Sequence, residues 1–243
     1  MRLLAVIPAR GGSKRLPGKN ILSLAGYPMI QWTINFAQRS RLFEKVIVST
    51  DSENIAEIAR SAGAYAPWLR PDKLAMDDTK TWEVCLHALD WYERKKNRVD
   101  GIVTLQPTSP FRKFAFLEEA VSLFEKHEGQ SVISVRRENL RLDWALKSKI
   151  NYEVLEIHGY PRIPRNLRET QLVVPSGNLY LTSPKTLRDS RSLLSKNSLA
   201  IMADSRFEEI DIDTVQDFEI AETIATALML GMTTGIVKPG TNF

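Results

Sequence analysis

Three short stretches hold residue types suited to phosphate chemistry. The first, Ala9 to Asn20 (ARGGSKRLPGKN), contains three glycines, the four bases Arg10, Lys14, Arg15 and Lys19, and no acid. Gly11, Gly12 and Gly18 let backbone N–H groups come close to an anion, and Ser13 sits among them. Such a loop predicts a polyphosphate site. The second is Gln106-Pro107-Thr108-Ser109-Pro110-Phe111-Arg112. Its prolines stiffen the chain, so the Gln106 amide and the hydroxyls of Thr108 and Ser109 are presented at low entropic cost. Arg112 suits bidentate contact with a carboxylate or phosphate. The third is Ile210-Asp211-Ile212-Asp213. Alternation places Asp211 and Asp213 on one face of an extended segment. Two carboxylates that close call for a cation, and oxygen-only donors suit Mg²⁺ or Mn²⁺. Asp213-Thr214 also reads as the start of the last helix, and both roles are open.

Spacing excludes two common nucleotide loops. A Walker A loop needs four residues between its glycines and a Ser or Thr after the lysine. Here five residues separate Gly12 from Gly18, and Asn20 follows Lys19. The dinucleotide fingerprint G-x-G-x-x-G is absent, which disfavours an oxidoreductase. His87, His127 and His158 share no metal-ligand spacing. The single cysteine, Cys85, reads as a small core residue beside Leu86 and Leu89.

The elements that must position these stretches alternate between strand and helix. Leu3–Pro8 is a buried strand feeding the basic loop. A helix opens at Pro28, and residues 45–50 form a second strand. Asp51-Ser52-Glu53 caps a helix that Gly63 ends. A short strand is expected at 64–68 and a long helix from Thr79 to Lys96. Residues 101–106 form a third strand, Phe114–Glu128 a helix and Ser131–Val135 a fourth strand. This order predicts one α/β domain spanning 1–243 with a mainly parallel sheet, whose ligand loops gather on one edge. From 136 to 173 the helical signal fades into an inserted arm, with two short strands around Lys149-Ile150-Asn151. Strands at 178–181 and 199–202 and a helix from Thr214 to Gly231 complete the domain. Residues 232–243 read as a loose tail.

Composition narrows the class. The chain is 43% hydrophobic with a net charge of +4, and its basic runs are short, which predicts no nucleic-acid partner. No apolar run of about eighteen residues is present, so no membrane span is expected. Met1 is followed at once by a strand, leaving no room for a signal peptide, and a cytoplasmic enzyme is expected.

Taken together, R-G-G-S-K-R-L-P-G-K-N at 10–20 and Q-P-T-S-P-F-R at 106–112 resemble the two signature loops of the CMP-sialic acid synthetases, the acylneuraminate cytidylyltransferases. The resemblance runs from Leu3 to the final helix. It includes Arg70-Pro71 through Leu74, the cluster Asp77-Asp78-Thr79-Lys80-Thr81, and the D-x-D of Asp211 and Asp213. Ser176-Gly177-Asn178-Leu179-Tyr180 departs from the family's N-G-x-x-Y by carrying Ser176 in place of asparagine. Lys19-Asn20 favours the acylneuraminate branch over the Kdo-activating cousins.

The resemblance implies a Rossmann-like nucleotidyltransferase that joins CTP and a nonulosonic acid to give CMP-sugar and pyrophosphate. It implies Arg10, Lys14 and Lys19 on the phosphates and Gly11, Gly12 and Ser13 shaping the loop. Asn20 and Thr81 would touch the nucleotide. Gln106, Thr108, Ser109, Arg112 and Ser176 would serve the sugar. Asp211 and Asp213 would hold Mg²⁺ (or Mn²⁺), and Asp211 or a water on the metal would take the hydroxyl proton. It further implies a homodimer joined through the 136–173 arm, whose apolar Trp144, Leu146, Ile150 and Leu155 need a partner, with Arg165 reaching the neighbouring site. Ser176 points to a sugar other than N-acetylneuraminic acid, such as legionaminic or pseudaminic acid. The rivals are a cytidylyltransferase for another acid sugar such as Kdo, and a nucleotide-binding relative without turnover.

Overall fold

A computed structural model describes residues 1–94, 98–137, 173–203, 205–231 and 235–240, together with the backbone of two short strands at 146–148 and 154–156. In chain order the elements are β1 (Leu3–Pro8), a small hairpin of β2 (Ser23–Leu24) and β3 (Tyr27–Pro28), α1 (Met29–Ser40), β4 (Phe43–Ser49), α2 (Glu53–Ser61) and α3 (Thr81–Arg94). They continue with β5 (Gly101–Thr104), α4 (Phe114–Lys126), β6 (Val132–Arg137), β7 (Leu146–Ser148), β8 (Val154–Glu156), β9 (Val173–Thr182), α5 (Pro184–Ser190), β10 (Leu199–Met202) and α6 (Val215–Met229).

Why β1 is an unbroken apolar run follows from its place. Leu3, Ala5 and Ile7 join a core shared with α1, α2 and α4, whereas Leu4 and Val6 join a second core with α3 and α5. Side chains alternate across a strand, so a strand covered on both faces must be apolar throughout. The helix starts are set locally. Ser52 accepts from Ile55 N at the head of α2, and Thr214 and Asp217 form a capping box at the head of α6. After α2, Gly63 takes φ +85°, a value glycine adopts without a Cβ clash. The strand expected at 64–68 is reduced to one isolated parallel bridge, Ile47 to Tyr65, with a second, Thr50 to Leu69, just beyond it.

The main sheet has the order β10-β6-β9-β5-β1-β4. Strand β1 pairs in parallel with both β4 and β5, and β10 with β6. Strand β9 runs antiparallel between β5 and β6. The sheet is therefore mostly parallel, with one reversed strand in its interior. Strands β7 and β8 pair antiparallel in a separate ribbon. The arm expected at 136–173 begins and ends in the main sheet, since Arg136 and Arg137 close β6 and Val173 opens β9. Apart from β7 and β8, residues 138–172, Arg165 among them, lie outside the described residues.

The tail is a correction. Within 232–243, the described residues 235–240 pack down onto the domain. Ile236 and Val237 are buried. Val237 N donates to the Arg112 carbonyl at 2.9 Å, and Lys238 Nζ to the Leu228 carbonyl at 2.9 Å. Two glycines and a proline suggested looseness, but the apolar pair Ile236-Val237 between them supplies an anchor.

Candidate active site

The chain passes from β1 to β4 on one side and returns to β5 on the other side of β1. In open α/β sheets a crevice forms where the strand order reverses, outside the carboxyl ends of the strands. The basic loop leaves the end of β1, and the Gln106 loop leaves the end of the adjacent β5. Both line a single cavity of about 410 Å³, together with Arg70, Thr81, Asp211 and Asp213.

The floor of the basic loop is locked to the sheet. Gly11 N donates to Asp51 Oδ1 at 2.9 Å, and a Cβ on Gly11 would lie 3.1 Å from the Ser52 Cβ. Asn20 is buried and its Nδ2 donates to the Arg10 carbonyl at 2.8 Å, which closes the loop on itself. Gly18 has φ +66°, the left-handed turn that brings Lys19 back over the cavity. Gly12 and Ser13 shape the outer curve, where Ser13 N donates to the Gly11 carbonyl at 3.1 Å.

Two aspartates divide the four cations of this loop. Asp77 takes Arg10 at 2.9 Å and Lys14 at 2.5 Å. Asp213 takes Lys19 at 2.8 Å on one oxygen and Arg15 at 2.7 Å on the other. Hydrogen bonds from Lys14 and Arg10 hold the Asp77 carboxyl below the usual aspartate range. Lys14 is 81% exposed and stands outside the cavity lining, reaching its rim only through Asp77. The Asp77 pairs are solvent-exposed, so they are weak holds that a polyphosphate can displace. Asp77→Asn keeps the side-chain size and removes the competing anion. The KM for nucleoside triphosphate is expected to fall about two- to fivefold with kcat unchanged, consistent with the small energies of exposed ion pairs. Initial rates at varied nucleotide check this, and a raised KM would mean that the carboxylate is needed for binding.

The opposite wall carries the paired acids. Ile212 is fully buried, and its N–H donates to the Thr108 carbonyl at 2.8 Å, which staples the aspartate segment to the Gln106 loop. Asp211 and Asp213 thereby flank a buried residue and both reach the cavity. Burial raises the Asp211 carboxyl above the ordinary range and the neighbouring Asp213 charge adds to this, whereas a hydrogen bond from the Thr108 hydroxyl and the charges of Lys19 and Arg136 oppose it. Thr81 enters from the first turn of α3.

Gln106 and Thr108 line the cavity, but three other residues expected to touch substrate do not. Ser109 is 1% exposed and its hydroxyl donates to the Ser176 carbonyl at 3.4 Å. Arg112 is also 1% exposed and points into the domain, spending its donors on Thr33, Asn178 and Gln106. Ser176 is 3% exposed, and its hydroxyl donates to Ser134 Oγ at 2.8 Å. Its register in β9 turns it toward β6 and away from the cleft, so the argument from Ser176 to sugar identity loses its physical basis. Gly177 at φ +78° is the residue beside the cleft, since a Cβ there would lie 2.5 Å from Gln106 Oε1.

Two cationic cleft residues were given no site role from sequence. Arg15 was visible as one of the four bases, but only the fold brings it to Asp213. Arg70 belongs to the Arg70-Pro71 motif and lies 5% exposed in the cavity wall, tied to Ser49 Oγ at 3.1 Å and to the Ser49 carbonyl. Burial lowers its pKa to about 10, which leaves it charged at neutral pH. The cleft thus offers cations on one wall, two carboxylates on the other and hydroxyl and amide groups between them.

A cytidylyltransferase family profile matches residues 4–148. The chain is 36% identical over 224 residues to the CMP-N,N'-diacetyllegionaminic acid synthase of Legionella pneumophila, covering 92% of this chain and 96% of that one. It is also 36% identical over 224 residues to the N-acylneuraminate cytidylyltransferase of Escherichia coli, covering 92% of this chain and 52% of that longer protein. Among solved structures, a CMP:2-keto-3-deoxy-manno-octonic acid synthetase complexed with CTP superposes with a TM-score of 0.69 at 18% identity, over 94% of this chain and 100% of that one. A likeness at that identity speaks for the fold. The sequence profile and the relatives agree with the charged cleft at the switch point, and the chain belongs to the cytidylyltransferase family of nucleotidyltransferases.

Proposed function

We propose that the protein transfers the CMP group of CTP to a nonulosonic acid, releasing pyrophosphate. The observation that carries this reading is the cleft itself. It gathers the loop cations Arg10, Arg15 and Lys19 with Asp211 and Asp213, and the Gln106–Thr108 strap lies alongside. The relatives at 36% identity, named for legionaminic and N-acylneuraminic acids, support the substrate class. The fold neighbour is named for an octonic acid, but the sequence relatives favour the nine-carbon class.

In this reading Arg10, Arg15 and Lys19 leave their aspartates and take the triphosphate. The anomeric hydroxyl oxygen attacks the α-phosphorus in line, the bond from that phosphorus to the bridging oxygen breaks, and pyrophosphate leaves with its charge matched by the loop. Asn20 and Thr81 orient the nucleotide, and Gln106 and Thr108 orient the sugar. Asp211, hydrogen-bonded to the Thr108 hydroxyl, stands beside the sugar strap and receives the hydroxyl proton.

A magnesium ion fits the acids. Asp211 and Asp213 are hard oxygen donors; burial first, and the Asp213 charge after it, raise the Asp211 carboxyl, and a cation beside the pair opposes both effects. Among the described residues no cluster of three or more metal-ligating side chains occurs. Two carboxylates suit Mg²⁺, which keeps waters and takes further ligands from substrate phosphates. When bound, it supplies charge neutralisation to the phosphates. The protein is proposed to be a homodimer in the cytoplasm. The β7–β8 ribbon has two strands of three residues, and a two-stranded ribbon of that length needs a surface to pack on. The buried free thiol of Cys85 suits a reducing compartment. Sedimentation at micromolar concentration should give twice the chain mass; a monomer counts against the dimer.

Pyrophosphate release with CTP, Mg²⁺ and a panel of N-acetylneuraminic, legionaminic, pseudaminic and Kdo acids tests the reading. Turnover with a nine-carbon acid is expected. Turnover with Kdo alone, or with none of the acids, overturns it.

A further inference from the structure

After Trp32, Arg112 is the largest fully buried side chain among the described residues. Burial lowers its pKa to about 9, with the charges of Glu208 and Asp211 working against that fall, so it remains a cation at neutral pH. A buried guanidinium persists only where its donors are matched. Here the match is directional. Nε donates to the Asn178 carbonyl at 3.0 Å, Nη1 to Thr33 Oγ1 at 2.9 Å and Nη2 to the Gln106 carbonyl at 2.7 Å. Those acceptors lie on β9, α1 and the loop after β5.

We infer that Arg112 is a positioning residue for the acid sugar, acting through the backbone of Gln106 without touching either substrate. The inference rests on the reading above that the Gln106–Thr108 strap faces the sugar. Arg112 grips the strap at its first residue, and Ile212 grips it at the Thr108 carbonyl. Asn178, whose carbonyl Arg112 holds, donates from Nδ2 to the Glu208 carbonyl at 2.9 Å, three residues before Asp211. One side chain thereby couples the sugar strap to the strand and segment that lead to the acids. The nucleotide loop has its own holds at Asp51 and Asp77, neither of which Arg112 touches. Loss of the grip should therefore fall on the sugar and spare CTP. Lysine cannot reproduce it, because a single ammonium does not span three diverging acceptors.

The test uses wild type, Arg112→Lys, Arg112→Met and the milder Thr33→Val, which leaves Arg112 in place and removes one of its three anchors. Folding is read by circular dichroism and melting, CTP affinity by calorimetry, and KM for each substrate by pyrophosphate release. Arg112→Lys and Arg112→Met are expected to raise the acid-sugar KM about tenfold or more, in line with misplaced positioning groups, and to leave CTP affinity within about twofold. Thr33→Val should show the same signature at about two- to threefold, and it decides the matter if neither Arg112 variant folds. A lowered melting temperature with both KM values unchanged in every folded variant overturns the inference, as does an equal rise for both substrates. If wild type itself uses no sugar acid, the substrate reading fails independently of these variants.

Discussion

Asp211→Asn and Asp213→Asn are each expected to cut turnover by about a hundredfold or more, because a metal clamp on a reacting triphosphate supplies several kcal/mol. Stability should behave differently. The Asp211 carboxyl is raised by burial and by Asp213. A carboxyl raised on folding binds its proton more tightly in the native state, so stability falls as pH rises from the ordinary aspartate value through the raised one. Asparagine keeps an acceptor for the Thr108 hydroxyl and carries no charge. Asp211→Asn should therefore melt no lower than wild type at neutral pH, and any gain should vanish once the medium is acid enough to protonate Asp211 in both states. In Asp213→Asn the capping box of Thr214 and Asp217 is untouched, so α6 should start as before. Steady-state pyrophosphate release together with melting at neutral and acid pH reads both effects. Near-normal turnover in both variants would remove the metal assignment.

Lys19→Ala is expected to lower kcat/KM for CTP by about a hundred- to a thousandfold, the scale of losing one preorganised donor to developing charge. Lys19 is the least exposed cation of the loop, 19% exposed, and its ammonium donates to Asp213 Oδ1 at 2.8 Å and to the Ile212 carbonyl at 3.4 Å. It therefore serves in turn. Before substrate binds it fixes the acid segment across the cleft, and with CTP bound it offers its charge to the phosphates. Lys14→Ala is the contrasting variant. Lys14 reaches the rim only through an exposed pair, and a loss of about tenfold or less is expected for such a surface charge. Equal losses for Lys14 and Lys19 would show that loop charge alone matters and that the bridge to Asp213 does not.

These contrasts show how much of the site was legible. The basic loop, the Gln106 loop and the paired aspartates stood out as residue types at a spacing, and all three meet in one cavity. The helices were legible because caps and stops are local events, as at Ser52, Gly63 and Thr214. What a side chain faces was less legible. Ser109, Arg112 and Ser176 carry the right chemistry for substrate, yet each is spent on internal partners. The expected 64–68 strand shrank to a single bridge with β4, between Tyr65 and Ile47.

The sequence by itself determined that a strand ending at Pro8 delivers a glycine-rich, cationic loop, and that a stiff loop and two acids were available to complete a phosphate site. Those are properties of residue type and near spacing. Only the tertiary structure decided that β9 runs antiparallel between β5 and β6, that 236–237 bury themselves, and that Arg112 turns inward. The Arg112 bonds to Asn178 and Thr33 span 66 and 79 residues of chain. Strand direction and the facing of a buried cation are settled by such distant partners, since a buried polar group must be matched wherever the fold brings an acceptor, and no local pattern records where that is.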